Sequence, residues 1–398
     1  MSSNNFDTII LAGMGAVGSS MLRLGSETLK SFSRVILADR DPAALAPLHT
    51  LGCRCLCGDL LDPSFLRQLK RHASGETLLV NMCAELNNLI VREQAAQLGM
   101  AYLDSCASAT EDPEEHRFSV MMEHTMTSLD PDLPHWLCFG INPGLVEIVA
   151  RQLINELAPG KNGCDITVFE HDQIHAPTLE EGVAVGWCPP ALIEEVMLSP
   201  SLVVEGGMVV EDREPPARDA VAFWEGEEVR SRIVAHEDIW NMALIPGVVS
   251  ARFVYGLAPE VMDILAGDPG KAAERLLIPD GATPVFGLER VAVQARELAT
   301  GERRTLLWET DHYQTWIFHG INGVQFQTAS SLLLAVELLA KTRYGRIPGE
   351  FCGATFPMTE GDFSLIGRIM KRLNIHWQRA DYLDLAFDEE FVDEERKR

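Results

Sequence analysis

Basic residues are scarce in this sequence. Thirty-three lysines and arginines stand against 58 aspartates and glutamates, a net charge of −25 over 398 residues. No lysine- or arginine-rich run offers a local exception, so a phosphate backbone is repelled and nucleic acid is excluded as a partner. A small cation is attracted by the same imbalance, although acidity of this kind also serves solubility alone. No basic segment precedes Ile9-Ile10-Leu11, and Gly13 interrupts that apolar stretch almost at once, which argues against a secretory signal. The longest apolar helix candidate, Ser330 to Ala340, contains Glu337 and is too short to span a bilayer. Internal repeats are absent. The nine cysteines are odd in number and scattered through hydrophobic runs, which suits reduced thiols in a cytoplasmic protein better than a disulfide framework. Cys53, Cys55 and Cys57 alternate on a predicted strand and read as filler, with no further metal ligands nearby.

What the sequence does contain is the material of two compact domains. Hydrophobic residues make up 46% and charged residues 23%, proportions of a globular chain, and the length exceeds one average domain. Short aliphatic runs alternate with amphipathic helical stretches as far as Pro143-Gly144. Strands are predicted over 8–12, 34–38, 53–57, 77–83, 101–103 and 136–140, with a helix over 16–29 after the first. That pattern is α/β, a Rossmann-type doubly wound parallel sheet. Beyond it, strands over 165–170, 229–235 and 304–309 lack helical crossovers and predict a second α+β domain with a mixed or antiparallel sheet. Near Gly323 helical character returns, with a long apolar helix over 327–339 expected to dock on the first domain. The expected divisions are 1–146 for dinucleotide binding, 147–322 for substrate and dimerisation, and 323–398 for the C-terminal helices, which end in a charged tail over 388–398.

Gly13-Met14-Gly15-Ala16-Val17-Gly18 stands directly after a predicted strand and opens a helix. The glycines of such a loop allow a tight turn, close approach of a pyrophosphate and packing of helix on strand, while the N–H groups around Ala16 and Val17 face the phosphates. Asp39, at the end of the second strand, is placed to bind the ribose hydroxyls, and its charge favours NAD over the phosphorylated form. Asp59, Asn81, Cys83 and Asp104 follow at the carboxyl edge of the sheet, where the remaining cofactor contacts are made. Asp59 also reads as a helix N-cap for Leu60 onward.

Three further segments carry a family resemblance. Val80-Asn81-Met82-Cys83-Ala84-Glu85, Tyr102-Leu103-Asp104-Ser105 and Gly140-Ile141-Asn142-Pro143-Gly144-Leu145-Val146 resemble segments of the saccharopine dehydrogenase superfamily, and within it bacterial homospermidine synthases. Glu170, Trp187 and Glu195 reproduce that family's Glu, Trp, Glu series with its final eight-residue step. Ala235-His236-Glu237-Asp238 is similar to its THNE segment, and 322–339 to its late NSATSLQ-type helix. The resemblance implies a homodimer that oxidises putrescine with bound NAD to an imine. A second amine then attacks, ammonia leaves, and the retained NADH returns its hydride. The residue types suit that task. A diamine has cationic ends and an apolar stem, so carboxylates (Glu170, Glu195) and an aromatic face (Trp187) recognise it. His236 exchanges protons near neutrality, Asn142 orients an amine or the nicotinamide amide, and Glu85 lies towards the nicotinamide end of the sheet.

Each of these residues has a plainer reading: Trp187 as packing, Glu195 beside Glu194 as solvated helix, His236 as a strand-end histidine. Their joint order favours the site. The sequence departs from the family in being shorter over 144–170 and 195–236, in lacking an acidic residue within Cys106-Ala107-Ser108-Ala109, and in having Glu85 where Asp is usual. Two rival functions remain. One is an imine-reducing dehydrogenase of the saccharopine or carboxynorspermidine type using NAD(P)H, with Arg230, Arg232 and Arg252 available as a carboxylate clamp. The other is a nucleotide-sensing module without catalysis. A metal is not expected: His171 and His175 imitate a metal-binding spacing, but along a strand residues four apart lie about 13 Å from each other.

Overall fold

The computed structural model describes residues 4–83, 86–107, 123–158, 163–179, 182–213, 216–224, 227–383 and 385. The chain forms two compact units, Met1–Leu145 with Thr328–Ile375 and Val146–Gln327 with His376–Arg398.

The first unit is built on a parallel sheet. Its strands are β1 (Thr8–Ala12), β2 (Arg34–Asp39), β3 (Arg54–Cys57), β4 (Thr77–Asn81), β5 (Ala101–Asp104) and β6 (Pro134–Trp136), with Gly349–Phe351 added beside β6. The order is Gly349–Phe351, β6, β5, β4, β1, β2, β3, and every neighbouring pair is parallel. This is the expected doubly wound fold, with its switch of direction between β1 and β4. Both central strands are buried along their whole length, which explains their unbroken aliphatic runs rather than alternation.

Several details differ from the sequence reading, among them the fourth strand, which ends at Asn81 instead of Cys83. The helix after β1 is interrupted at Gly25, giving Ala16–Leu24 and Ser26–Leu29; a Cβ at Gly25 would lie 2.6 Å from Leu333, so the break lets another helix pack closely. The sixth strand ends at Trp136 instead of beginning there. Cys138 turns to φ 52, and its N–H and that of Phe139 go to the carboxylate and carbonyl of Asp104 at 2.6 and 2.8 Å, which takes the chain out of the ladder. The apolar helix is longer than expected, running from Gly323 to Lys341 over 19 residues, long and apolar enough to cross a membrane. It is 89% buried inside the protein over its most apolar window. Its polar first turn was hidden from pattern reading because Asn322 caps it, accepting the Gln325 N–H at 2.8 Å.

β7 (Cys164–Asp172) is the centre of the second unit's sheet, parallel to Val248–Leu257 and antiparallel to Leu288–Glu297. Beyond these lie Ser201–Glu205 and Met208–Arg213 on one side and Arg303–Asp311 and Gln378–Arg379 on the other. The hairpin Arg218–Trp224 and Glu227–Ile233 also pairs with Val248–Leu257. The sheet is therefore mixed, as expected. Because side chains alternate along a strand, Phe169 lies on one face, in a core with Ala222, Trp224, Val254, Ala292 and Leu307, while Glu170 and Asp172 lie on the other. A one-residue slip in register would drive both carboxylates into that core.

Glu337 shows how the long helix carries a buried charge. It accepts hydrogen bonds from Thr28 Oγ1, Lys341 Nζ and Arg372, each at 2.7 Å. Glu337→Ala leaves the buried Thr28 hydroxyl unpaired and is expected to cost about 2–4 kcal/mol, seen as a lowered melting temperature, whereas Glu337→Gln, which keeps an acceptor for Thr28, costs less. Equal losses in the two variants would contradict this role.

Candidate functional site

The three glycines of the loop after β1 stand in different surroundings. Gly13 has φ +87, and a Cβ there would stand 2.8 Å from the backbone of Met82 and Cys83. At Gly18 a Cβ would fall 2.0 Å from the Gly13 carbonyl, so helix and loop could not close; at Gly15 nothing lies within 4 Å. The helix Ala16–Leu24 begins at Gly15 without a side-chain cap, and its first N–H groups and dipole suit a phosphate. Asp39 ties this loop to β2: its carboxylate accepts the Met14 N–H at 2.6 Å and the Asp41 N–H at 2.8 Å. This donor set and the open space beside Gly15 fit a dinucleotide.

The other predicted edge residues take different places. Asp59 is exposed and closes a turn by accepting the Leu61 N–H at 2.9 Å; the following helix, Pro63–His72, is capped by Asp62, which corrects the N-cap reading. Asn81 is buried, donating to Asn88 at 3.2 Å and Tyr102 at 3.1 Å and accepting the Cys83 N–H at 3.1 Å. The Cys83 thiol is pushed up to about 12, first by burial and then by Asp39, so it is a neutral thiol at physiological pH. Asp104 is fully buried and accepts the Cys138 N–H at 2.6 Å and Asn88 Nδ2 at 3.3 Å, with His124 Nε2 lying 2.8 Å from its carboxylate. These bonds tie the carboxyl ends of β4 and β5 to the segment after β6. Asn142 is half-buried in the turn after β6. Glu85 lies outside the described residues.

In the second unit, β7 and its neighbours gather carboxylates on one face. Glu170 stands beside Tyr255 in the parallel ladder, and Asp172 stands opposite Glu289 in the antiparallel one. All four are buried. Glu289 is held well above the usual carboxylate range by burial first and then by the charges of Glu170 and Asp172. Burial and the neighbouring like charges both favour the protonated form of Glu289. Asp172 receives His312 Nε2 at 3.1 Å, while His312 Nδ1 accepts the Gly323 N–H at 2.9 Å; the second bond fixes the tautomer that serves the first. Trp187 is half-buried and donates from Nε1 to the Tyr255 hydroxyl at 2.6 Å, which orients the indole beside the cluster.

From Tyr255 a row of rings runs to a second cluster. Phe253, two residues back on the same strand, meets Tyr255 edge to face at 6.2 Å, and His236 stacks on Phe253 at 4.3 Å with only 9° between the planes. His236 opens the helix Glu237–Ala243; its Nδ1 is 3.2 Å from Asp238 and 3.6 Å from Glu237. Donor atoms of Glu195, His236 and Glu237 lie within 4.8 Å of one another. Glu195 is buried rather than solvated, because the helix Pro189–Ile193 widens into a π-helical turn over Glu194–Leu198 that carries it inward. Behind His236, Asp238 contacts Glu147, and burial raises both acids well above their usual range.

Glu170 and Trp187 thus meet at Tyr255, Glu195 and His236 meet at the second cluster, and Phe253 links the two groups. Sequence reading missed Asp172, Glu289, Tyr255, Phe253, His312 and Glu147. Asp172 had a signal, lying two residues after Glu170 and therefore on its face; the others join the site only through strand pairing. His171 lies on the opposite face, in ring contact with Phe169 and Trp224, and burial brings it down to about 4. The arginines of the dehydrogenase reading are engaged elsewhere: Arg230 with Asp263 at 2.6 Å, Arg232 with Asp219 at 3.0 Å, and Arg252 with Asp165 at 3.2 Å.

No family model matches the sequence, and neither does any curated protein. Solved structures do match. A homospermidine synthase from Legionella pneumophila in complex with NAD superposes with a TM-score of 0.71 at 14% identity, covering 94% of this chain and 92% of that one. The apo saccharopine dehydrogenase (L-Glu forming) from Saccharomyces cerevisiae superposes with a TM-score of 0.58 at 11% identity, covering 94% of this chain and all of the other. The chain has the fold of these proteins, the one to which its sequence motifs point.

Proposed function

We propose that this protein is an NAD-dependent enzyme of the homospermidine synthase type, transferring an aminobutyl group between small amines. The observation that carries the reading is the pairing of two buried carboxyl clusters, Glu170/Asp172/Glu289 and Glu147/Glu195/Glu237/Asp238, across the ring row Tyr255, Phe253 and His236. A molecule with cationic ends and a hydrocarbon stem complements that arrangement. NAD, when bound at the glycine-rich loop, supplies a hydride acceptor at the amine-bearing carbon and later a donor. The protein's own residues do the rest. Glu170 with Glu289, and Asp172 held by His312, bind an ammonium end. The indole of Trp187, oriented by Tyr255, stabilises positive charge on the reacting carbon and nitrogen. His236 takes a proton from an ammonium so that the nitrogen regains its lone pair. Burial limits the water that would hydrolyse an imine.

Putrescine with catalytic NAD should yield homospermidine and ammonia, followed by mass spectrometry, without net change in cofactor absorbance. Absence of any new polyamine across several diamines would sink the reading, and stoichiometric consumption of NADH with an amine and a keto acid would favour the dehydrogenase. Trp187→Phe weakens the cation–π term and is expected to lower kcat by about 10- to 30-fold, whereas Glu170→Gln should act mainly on KM; an unchanged kcat in the first variant would remove Trp187 from the chemistry. For the cofactor, Gly15→Leu should abolish NAD binding in calorimetry while leaving the melting temperature of the free protein unchanged, because the protein leaves space there. Gly18→Ala should lower the melting temperature itself. The reverse pattern would mean that the loop does not hold the dinucleotide.

A further inference from the structure

Among the described residues, three groups bring histidine, cysteine or carboxylate atoms within 4.8 Å of one another: Asp172/Glu289/His312, Glu195/His236/Glu237 and Asp104/His124/Cys138. The first does not suit a metal ion. His312 Nδ1 accepts the Gly323 N–H at 2.9 Å, so in the neutral ring Nε2 carries the proton and has no lone pair to give. The second belongs to the amine site proposed above. The third takes no part in that mechanism, lies wholly in the first unit and alone of the three contains a thiol. Asp104, His124 and Cys138 are each completely buried. His124 Nε2 stands 2.8 Å from Asp104 Oδ2, yet neither ring nitrogen is aligned for a hydrogen bond with any described residue. An imidazole buried in that state is costly, and a cation shared with the carboxylate removes the cost. The donors are also held from behind. Asp104 Oδ1 accepts the Cys138 N–H at 2.6 Å, and Asn88 Nδ2 reaches Oδ2 at 3.3 Å. Arg92, on the helix Asn88–Gln97, donates to the carbonyls of His124 at 2.8 Å and Thr127 at 2.6 Å, which fixes the turn that carries the imidazole. Its guanidinium is paired with Glu350 at 3.5 Å.

We propose that Asp104 Oδ2, His124 Nε2 and the Cys138 sulfur hold one divalent ion of the zinc, cobalt or cadmium kind, as a structural site. Bonds of about 2.0–2.3 Å place the ligand atoms of a tetrahedral ion roughly 3.3–3.8 Å apart, which the mutual approach of these three atoms accommodates. When the ion binds, a metal–sulfur bond forms, the Cys138 S–H bond breaks and its proton leaves to solvent. The carboxylate and the thiolate then balance the two charges of the ion, and the imidazole stays neutral. A donor set of sulfur, nitrogen and one oxygen selects such an ion over magnesium or calcium, which take oxygen ligands. Complete burial suits a closed structural centre rather than one that admits a substrate. The ion fastens the carboxyl end of β5 to the turn over 123–126 and to the segment after β6. The three residues stand too far apart in the sequence to form a short ligand motif, so no local pattern announces them.

No amine enters the test, so the site stands or falls independently of the reaction proposed above. Full-length protein is produced in medium supplemented with cobalt, so that the ion is present while the chain folds, and is then desalted. Wild type should retain one cobalt per chain by elemental analysis and show a thiolate-to-cobalt charge-transfer band. Cys138→Ser should lose the band and His124→Gln should lose the bound cobalt, whereas Cys57→Ser, at an exposed thiol outside the group, should keep both. Wild type that retains no cobalt, or a band that persists in Cys138→Ser, would overturn the site. If a variant does not fold, wild type produced with cadmium decides by cadmium NMR. A single resonance with the shift of one sulfur ligand beside nitrogen and oxygen is expected; a shift set by several sulfurs or by oxygen alone, or no bound cadmium, refutes the ligand set.

Discussion

Crowding of buried carboxyl groups is the constraint on which the second unit turns. Glu170 and Asp172 crowd Glu289, and Asp238 crowds Glu147, in surroundings that penalise charge. Such groups lower stability unless a proton or a cation offsets their charge. The fold holds these acids beside a row of aromatic rings, Tyr255, Phe253 and His236. On the proposed function this is an amine site, carried by acids on the central strand of a sheet whose other face is an ordinary hydrophobic core.

The backbone around these acids is shaped to keep them in place. A Cβ at Gly186 would come within 2.5 Å of Asp172 Oδ2 and 2.4 Å of Val324, so glycine there lets the segment leading to Trp187 lie against the carboxylate; Asn322 reinforces it by donating to the Gly186 carbonyl at 2.7 Å. A Cβ at Gly323 would stand 3.0 Å from both Glu289 Cβ and His312 Nδ1. The helix thus starts where its first N–H can fix the histidine that serves Asp172. The first unit uses glycine differently, in the loop after β1, where Gly15 keeps space open and Gly18 lets the helix close on the loop.

Much of this was legible in the residues. The glycine-rich loop, Asp39 and the aliphatic runs of β1 and β4 are local signals, and the parallel sheet follows from them. Glu170, Trp187, Glu195 and His236 were visible only as an ordered series resembling a known family. Asp172 could have been found from strand alternation. Glu289, Tyr255 and Glu147 could not, because their approach to the site depends on which strands pair and in what register, information that lies in contacts across more than eighty residues and not in any local pattern. The same limit explains the errors at element ends: the early stop of β6 is set by Asp104, more than thirty residues upstream, and the early start of the long helix by a single capping side chain, Asn322.

On the proposed function, positive charge from an amine replaces a proton held among these carboxyls. Glu289 keeps its proton above the usual carboxylate range, so an entering diammonium favours its ionised form and drives the proton out, and affinity should rise as pH increases towards its raised value. Calorimetric titration of putrescine in buffers of different ionisation enthalpy reads this directly. Net release of protons on binding near neutral pH is predicted; proton uptake, or binding with no proton exchange, would contradict it.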